Sequence, residues 1–355
     1  MRWTDLRTGF GCNHACRFCD QAVLRGEHGD ASLAEVSAAL SALPHREGVV
    51  LAGGEVTLRP ELLQLVGAAR ALGFQRVAIQ TNGSILASPG AAAGLRAAGL
   101  TDVALALHAP TAAVHDWLTS RPGSFKRALA AAKRSVAAGL GLRVNTVLTR
   151  TSAPLLPDTV GLAGALGARS VRALVAREAG AATADARMLV PRWELLPEPL
   201  RAAAEQARLV GVELEVVGLP PCLAPDLRAL LGDRRDVAQP DRAFALEAPP
   251  SPAPIWPTPC GRCTLRPMCP GVDAAYVARW GTDELRPAGP QLQPPSEAVL
   301  HIVDADTSRT LRQRLVKLHG EGVRRLRFAG ERSDSEMQGL LRECERLGIV
   351  ASTGP

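Results

Sequence analysis

Three cysteines near the start of the chain have the spacing of ligands for a metal centre. Cys12, Cys16 and Cys19 follow the pattern C-x3-C-x2-C within one short segment. Three thiolates on one loop can each bind one iron of a cubane [4Fe–4S] cluster, which normally takes four cysteines. No fourth cysteine lies close in sequence. One iron would therefore keep an open position, at which a cofactor or a substrate can bind.

A zinc site is the alternative interpretation of this segment. His14 lies between the first two cysteines and could act as the fourth ligand of a zinc knuckle. Structural zinc sites, however, usually combine two paired cysteine units. The lone triad therefore fits an iron–sulfur cluster better than it fits zinc.

Four further cysteines form a second candidate metal site. Cys222, Cys260, Cys263 and Cys269 follow the pattern C-x37-C-x2-C-x5-C. Four thiolates suit tetrahedral zinc or a fully ligated iron–sulfur cluster, and the residue types allow either. If Cys222 were not a ligand, one iron of such a cluster would be open and could bind substrate directly. We assign no function to the eighth cysteine, Cys344.

The composition indicates a globular, cytoplasmic protein. Of the 355 residues, 46% are hydrophobic, 21% charged and 3% aromatic, which excludes wholesale disorder and predicts an aliphatic core. No apolar run reaches the roughly 18–20 residues of a membrane helix, and the first residues lack the apolar segment of a signal peptide. In the reducing cytoplasm, clustered cysteines favour metal binding or catalysis over disulfides. The net charge of +6 is dispersed, which argues against a nucleic-acid-binding surface.

Alternating strand-like and helix-like segments must position these cysteines. Apolar runs predict strands over residues 3–8, 49–52, 77–80, 103–107, 143–148 and 171–176. Helices are predicted over 61–72 and 125–138, and Ser32 with Glu35 predicts a capping box at the start of the first helix. Strands separated by helices imply βαβ units and a parallel sheet. Six such units predict an α/β barrel or partial barrel, with an open doubly wound sheet as the alternative.

The pattern changes after residue 205, and we predict three domains: 1–205, 206–295 and 296–355. A strand over 212–217 is followed by two proline-rich stretches, 246–259 and 286–295, that flank the second cysteine group. The last segment returns to α/β character, with strands predicted over 298–303 and 323–328 and a helix over 311–319. We assign no role to this small C-terminal unit.

The cysteine loop resembles the cluster loop of the radical SAM superfamily, including Phe18 directly before the third cysteine. Two further signatures follow in order. Gly53-Gly54-Glu55, after the second predicted strand, resembles the GGE motif, and Thr81-Asn82-Gly83, after the third, resembles the TNG motif. The resemblance covers residues 1–205 and implies a (βα)6 partial TIM barrel, in which site residues lie at the carboxyl ends of the strands.

The resemblance also implies the cofactors. Cys12, Cys16 and Cys19 would hold a [4Fe–4S] cluster whose open iron is chelated by the amino and carboxylate groups of S-adenosylmethionine. An electron from a donor such as flavodoxin or ferredoxin would cleave this cofactor. The resulting 5′-deoxyadenosyl radical would abstract a hydrogen atom from the substrate. The cofactors carry this chemistry, and the protein supplies position and protection from side reactions.

The residues that the resemblance assigns to S-adenosylmethionine lie at or near predicted strand ends. Two glycines let backbone carbonyls approach the methionine amino group, and the Glu55 carboxylate complements its charge. His108 and Asn145 match positions that contact the methionyl or ribose groups, and Val175 is placed to pack against adenine. The full set of candidate cofactor contacts is Phe18, Gly53, Gly54, Glu55, Thr81, Asn82, His108, Asn145 and Val175. We assign no catalytic hydrogen donor.

The second cysteine group resembles the twitch extension of these enzymes, a shortened relative of the SPASM domain. Tyr276 and the segment 281–285 resemble the residues that follow those cysteines. The resemblance implies that Cys222, Cys260, Cys263 and Cys269 hold an auxiliary [4Fe–4S] cluster, which could accept an electron from the substrate radical. Structural zinc remains the alternative for this group.

The leading hypothesis is a radical SAM oxidoreductase or maturase that acts on a ribosomal peptide or a small natural product. Because no residues precede the first strand, we expect no fused N-terminal recognition domain, and a peptide would be recognised in trans or by the C-terminal unit. One alternative is a molybdopterin-precursor cyclase, a family that typically ends in Gly-Gly, whereas this chain ends in Gly354-Pro355. The other is a zinc-stabilised barrel that serves as a scaffold without activity.

Overall fold

The computed structural model describes most of the chain, and all structural statements refer to its described residues. These are 2–27, 29–231, 242–244, 254–266, 269, 271–289, 297–301, 311, 315–316, 318, 323, 325–329, 334–347 and 349–353. The chain divides into two compact units. The barrel unit comprises Met1–Leu219, Gly232–Ile255 and Pro270–Glu284, and the cysteine-rich unit comprises Pro220–Leu231, Trp256–Cys269 and Leu285–Pro355. Segments of the two units alternate along the chain. The three predicted domains stay a prediction.

A parallel sheet of eight strands, in the order β7-β6-β5-β4-β3-β2-β1-β8, forms the centre of the barrel unit. Its strands are β1 Trp3–Arg7, β2 Gly48–Ala52, β3 Arg76–Thr81, β4 Asp102–Ala106, β5 Gly141–Leu148, β6 Ser170–Val175, β7 Glu213–Val217 and β8 Arg242–Phe244. The first six coincide with the six predicted strands, which confirms the partial barrel. The strand predicted over 212–217 extends this sheet as β7, beyond the six strands expected.

Helices connect successive strands. In the described residues they are α1 Leu24–Glu27, α2 Leu33–Ala42, α3 Leu62–Ala71, α4 Ala91–Ala97, α5 Ala112–Thr119, α6 Ser124–Ala137, α7 Leu156–Ala165, α8 Ala186–Leu189, α9 Pro197–Val210, α10 Ala274–Trp280 and α11 Asp334–Arg346. The predicted capping box at α2 is confirmed: the Glu35 N–H donates to Ser32 Oγ (3.2 Å), and the Ser32 N–H donates to Glu35 Oε2 (2.7 Å). No described helix is long and apolar enough to cross a membrane.

The core of the barrel unit lies between the sheet and its helices, and it is aliphatic as expected. Leu51, Ile79 and Leu105 on adjacent strands are fully buried. Strands β1, β5 and β6 instead alternate between fully and partly buried positions. Because successive side chains point to opposite faces, these strands place one row of residues in the core and the other row on the concave face of the sheet.

Within the barrel unit, the segment that follows the last cysteine packs against Trp193 through Tyr276 on α10. Its ring stacks on Trp193 with 3.5 Å between centroids, and its hydroxyl donates to Glu284 Oε2 (2.8 Å). The Trp193 N–H donates to the Tyr276 hydroxyl (2.8 Å), and Arg192 forms an ion pair with Glu284. Burial raises the pKa of Tyr276 above its ordinary value. This hydrogen-bonded aromatic contact anchors residues 271–284.

The cysteine-rich unit contains a parallel sheet of three strands, in the order β11-β10-β9: β9 Glu297–His301, β10 Arg325–Ala329 and β11 Val350–Thr353. Strands β9 and β10 overlap the predicted strands, although residues 302 and 303 lie outside the described residues. The described part of the predicted helix over 311–319 is helical. Cys344 on α11 is buried among Leu315, Phe328 and their neighbours, and burial raises its pKa to about 11. Its role in this unit is therefore packing.

A buried histidine pair fixes the loop after β4. The His108 N–H donates to His115 Nδ1 on α5 (3.1 Å), and the two rings stack at 5.4 Å. Burial lowers the pKa of His115 to about 4 and holds that of His108 well below its ordinary value. Both rings are therefore neutral at pH 7, and protonation of His115 Nδ1 would remove the acceptor of this hydrogen bond.

This pair makes the fold sensitive to acid. Between the ordinary histidine pKa near 6.5 and the folded value of about 4, the unfolded chain binds a proton at His115 that the native chain does not. Stability is therefore full above pH 6.5 and falls as the pH falls towards 4, by about 2 kcal/mol between pH 7 and pH 5 for this group. We expect His115→Asn, which keeps an acceptor near Nδ1 but cannot titrate, to lose correspondingly less stability over this range. Urea unfolding followed by tryptophan fluorescence at both pH values measures the difference, and equal losses would contradict the account.

Candidate functional site

One cavity of the barrel unit collects most of the candidate residues from the sequence. It opens at the carboxyl ends of the strands and is lined in part by Cys12, Cys16, Phe18, Cys19, Gly53, Gly54, Thr81, Asn82, His108, Asn145 and Val175. The loop after β1 supplies the cysteines, and β2 to β6 or the turns after them supply the others. Of the candidates in this unit, only Glu55 does not line the cavity. The strand ends converge as a parallel barrel requires.

Close backbone contact holds the cysteine loop against the end of β2. The Gly54 N–H donates to the Gly9 carbonyl (3.0 Å), and the Glu55 N–H donates to the Gly11 carbonyl (2.7 Å). A Cβ on Gly54 would lie 2.0 Å from the Gly11 oxygen. A Cβ on Gly53, whose φ is +138°, would lie 2.3 Å from the Gly9 oxygen. Only glycine fits at both positions, which is the physical reason for the glycine pair.

Two thiols of this loop, Cys12 and Cys16, are in surroundings that oppose their ionisation unless a cation is bound. Burial and, to a lesser extent, the neighbouring thiols of Cys19 and Cys12 raise the pKa of Cys16 to about 12. Burial also raises the pKa of Cys12, although the His14 N–H, 3.4 Å from its sulfur, lowers it. Arg25 Nη2 lies 3.3 Å from the Cys19 sulfur. The donor set is therefore suited to thiolates whose charge is balanced by metal.

The separation of ligands differs between a single ion and a cluster. Among the described residues, no three Cys, His, Asp or Glu side chains converge closely enough to surround one ion. In a cubane cluster each cysteine binds its own iron, so its ligands do not share one metal atom.

Glu55 lies behind the cavity wall, where it joins two strand ends. Its buried carboxylate accepts hydrogen bonds from the Thr81 hydroxyl (2.7 Å), the Asn82 N–H (2.6 Å) and the Thr57 N–H (3.1 Å). These bonds tie the end of β3 to the turn after β2. The expected contact of this carboxylate with an amino group stays a prediction. The observed hydrogen bonds give Glu55 a structural role.

Asn13 was not identified from the sequence, yet it links the cysteine loop to the turn after β3. Its side-chain oxygen accepts from Asn82 Nδ2 (2.8 Å), and its Nδ2 donates to the Ser84 hydroxyl (2.9 Å). The Ser84 N–H in turn donates to Asn82 Oδ1 (2.9 Å). This closed network fixes Asn82 beside Cys12. The sequence signal that could have identified Asn13 is its position between the candidate ligands Cys12 and Cys16.

His108 presents a neutral ring to the cavity. Its Nδ1 accepts from the Val147 N–H (3.2 Å), so the ring proton is on Nε2, which is available as a donor. Phe18 contacts the ring edge to face at 4.7 Å. Nearby, neither ring nitrogen of the buried His14 has a partner among the described residues, and burial lowers the pKa of His14 to about 4. Both histidines can therefore exchange hydrogen bonds with a neutral or anionic group.

The cavity continues into the barrel as a second, polar space. Asp5, Gln80, Asn145 and Arg172 line both parts. Arg172 pairs with Glu215 at 3.1 Å. Deeper in this space, the Arg143 guanidinium lies over the ring of Trp3 at 4.9 Å. Apart from Asn145, sequence reasoning missed these residues, although polar side chains at alternate positions of β1, β5 and β6 mark them.

The cysteine-rich unit brings the four later cysteines into one neighbourhood. Cys260 and Cys263 lie on one turn, where the Cys263 N–H donates to the Cys260 carbonyl (3.2 Å). Burial raises the pKa of Cys222, and an N–H bond from Arg286 lowers it. The thiols of Cys269, Cys263 and Cys260 raise it further, so these three lie near the Cys222 thiol.

Comparison with known proteins identifies the barrel. The family model described as the Radical SAM superfamily matches residues 6–151. A PqqA peptide cyclase of Ruegeria pomeroyi is 34% identical over 162 residues, which cover 45% of this chain and 43% of the relative. An AdoMet-dependent heme synthase of Oleidesulfovibrio alaskensis is 28% identical over 171 residues, covering 47% and 43%. The match thus spans less than half the length of these two relatives.

Two solved structures share the fold. Streptococcus suis SuiB bound to S-adenosylmethionine has a TM-score of 0.56 and 14% identity, with coverage of 79% of this chain and 75% of that one. SuiB bound to its precursor peptide SuiA has a TM-score of 0.50 and 16% identity, with coverage of 60% and 48%. At this identity the likeness concerns the fold alone. The family match, the glycine pair and the cysteine loop agree, and residues 6–151 match a Radical SAM domain.

Proposed function

We propose that this protein is a radical SAM oxidoreductase or maturase that acts on a peptide or a small natural product held in the barrel. One observation carries the proposal: the three thiols of the cysteine loop and the strand-end candidates line a single cavity. When bound there, a [4Fe–4S] cluster with S-adenosylmethionine supplies a 5′-deoxyadenosyl radical that abstracts hydrogen from a substrate. Cys12, Cys16 and Cys19 hold the cluster.

The other cavity residues hold S-adenosylmethionine. Gly53 and Gly54 line the cavity, where their backbone carbonyls can face the amino group. His108 donates through Nε2, the nitrogen that its bond from Val147 leaves protonated. Asn145 supplies an amide towards the ribose or methionyl group, and Val175 packs against adenine. Phe18 holds the His108 ring in orientation.

The polar interior of the barrel favours a substrate rich in polar groups. Arg172, Gln80 and Asp5 line the space between the cysteines and the deeper cavity, where they can orient a chain by hydrogen bonds and charge. Two similar proteins, a PqqA peptide cyclase and SuiB in complex with its precursor peptide, support a peptide substrate. The heme synthase relative supports a small molecule as the second candidate.

The second cysteine group completes the proposed electron path. Cys222, Cys260, Cys263 and Cys269 hold an auxiliary [4Fe–4S] cluster that takes up an electron from the substrate radical. The neighbouring thiols raise the pKa of Cys222 and Cys260, which supports one shared metal site, and structural zinc is the alternative occupant. The electron that starts the reaction comes from a carrier such as flavodoxin or ferredoxin.

Metal content tests the proposal. After anaerobic reconstitution we expect about eight irons per chain, falling to about four in Cys12→Ala and to about four in Cys260→Ala, because each substitution removes a ligand of one cubane cluster. Cys344→Ala is the matched control and keeps the full iron content, since Cys344 packs in a hydrophobic core. Only Cys12→Ala should stop formation of 5′-deoxyadenosine from S-adenosylmethionine with dithionite.

Other metal contents have distinct meanings. About four irons with about one zinc that Cys260→Ala removes would make the second site structural. Zinc without any iron would overturn the proposed enzyme.

A single methyl group tests the backbone contact that holds the cysteine loop. In Gly54→Ala the new Cβ would meet the Gly11 carbonyl, so the loop must move, and we expect loss of the first cluster's roughly four irons but not of the second's. Gly94→Ala is the control, because its Cβ would meet nothing within 4 Å. Iron analysis and 5′-deoxyadenosine formation measure the outcome. Full iron content and activity in Gly54→Ala would contradict the role of this contact.

A further inference from the structure

A long part of the barrel unit carries no acidic residue. Between Asp116 and Asp158 the chain has no Asp or Glu. The same stretch has seven basic residues: Arg121, Lys126, Arg127, Lys133, Arg134, Arg143 and Arg150. Lys126 and Lys133 are two of only three lysines in the chain, and both are on α6. The dispersed net charge of the whole sequence conceals this local asymmetry.

Helix α6 gathers these charges on its outer side. Its inner side is buried and small, with Ala128, Ala131 and Ala132 fully buried. Lys126 and Lys133 are seven residues apart, two helical turns, so they project from the same side, and both are exposed. Arg127 and Arg134 repeat the same spacing. Together with Arg121, just before the helix, these four residues form what we call the basic face.

No carboxylate neutralises the basic face among the described residues. None of its five cations has an ion-pair partner there. The nearest acid in sequence, Asp116, is engaged at the start of α6: its carboxylate accepts from the Gly123 N–H (2.6 Å), the Ser124 hydroxyl (2.7 Å) and the Phe125 N–H (2.8 Å). Burial raises its pKa, but these bonds outweigh burial and lower it. The face therefore presents unpaired positive charge.

The basic face adjoins the cysteine loop. Arg17, exposed between Cys16 and Cys19, donates its N–H to the Leu118 carbonyl (2.9 Å) and its Nε to the Trp117 carbonyl (3.0 Å), and its guanidinium lies over the Trp117 ring at 4.6 Å. Trp117 and Leu118 lie in the last turn of α5, and Arg121 of the basic face follows three residues after Leu118. The cationic surface is thus continuous with the loop that would hold the cluster.

We propose that the basic face, with Arg17 and Trp117, is the docking surface of an acidic one-electron carrier protein of the flavodoxin type. The inference rests on the proposed function, which requires an electron from outside the chain. Opposite charge steers a carrier to the face and orients it against the cysteine loop, and such encounters are fast and sensitive to salt. A nucleic acid would instead require exposed aromatic rings for stacking, whereas the Trp117 ring is covered by Arg17.

The test is the rate at which reduced flavodoxin reduces the reconstituted protein, followed by stopped flow at several ionic strengths. For Lys126→Glu/Lys133→Glu we expect the second-order rate constant to fall about tenfold or more at low salt and to lose its salt dependence. Arg342→Glu/Arg327→Glu, which changes the net charge equally at two exposed sites of the cysteine-rich unit, is the control and should differ little from the native protein.

Reduction by dithionite separates this inference from the function itself. Iron content and dithionite-driven formation of 5′-deoxyadenosine should be unchanged in Lys126→Glu/Lys133→Glu, because neither lysine lines the cavity. The proposed docking surface would be overturned if Lys126→Glu/Lys133→Glu left the rate of reduction by flavodoxin unchanged. It would also be overturned if the control variant lowered this rate by the same factor. Failure of the native protein to cleave S-adenosylmethionine with dithionite would instead overturn the proposed function.

Discussion

The contact between the glycine pair and the cysteine loop is the constraint on which the site depends. Two backbone hydrogen bonds, from Gly54 to Gly9 and from Glu55 to Gly11, place the cysteines over the mouth of the barrel. The distances leave no room for a Cβ at either glycine. Glu55 adds to this arrangement, because its carboxylate accepts hydrogen bonds from Thr81 and Asn82 and so ties the end of β3 to the turn after β2. The loop after β4 and strand β5 contribute His108 and Asn145 to the lining of the same cavity.

Burial opposes ionisation of two thiols in this arrangement. The protein raises the pKa of Cys16 and Cys12 by removing them from water, while Arg25 and the His14 N–H compensate only in part. A metal that binds thiolates would reverse this balance, so occupancy and loop order should be linked. The neutral, buried His108 and His14 add hydrogen-bonding groups without adding charge to the cavity. The deeper part of the cavity is lined by polar side chains, which can orient a bound molecule by hydrogen bonds.

The sequence predicted the six barrel strands because each is a short apolar run separated from the next by a helix of ordinary length. The strand-end candidates came from their resemblance to the motifs of the radical SAM superfamily, at places where turns and polar residues interrupt those runs. Strand β7 was not assigned to the barrel, since its alternating pattern at a sheet edge looks like that of a separate domain. The Asn13 network, the structural role of Glu55 and the basic face on α6 depend on contacts between distant segments, which spacing along the chain does not encode.

The central claim is that the open iron of the first cluster binds S-adenosylmethionine inside the barrel. Electron paramagnetic resonance of the reduced Cys260→Ala protein, in which only the first cluster should remain, tests it directly. We expect a [4Fe–4S] signal whose spectrum changes when S-adenosylmethionine is added, because the cofactor becomes a ligand of the open iron. A cluster signal that S-adenosylmethionine leaves unchanged would contradict the account.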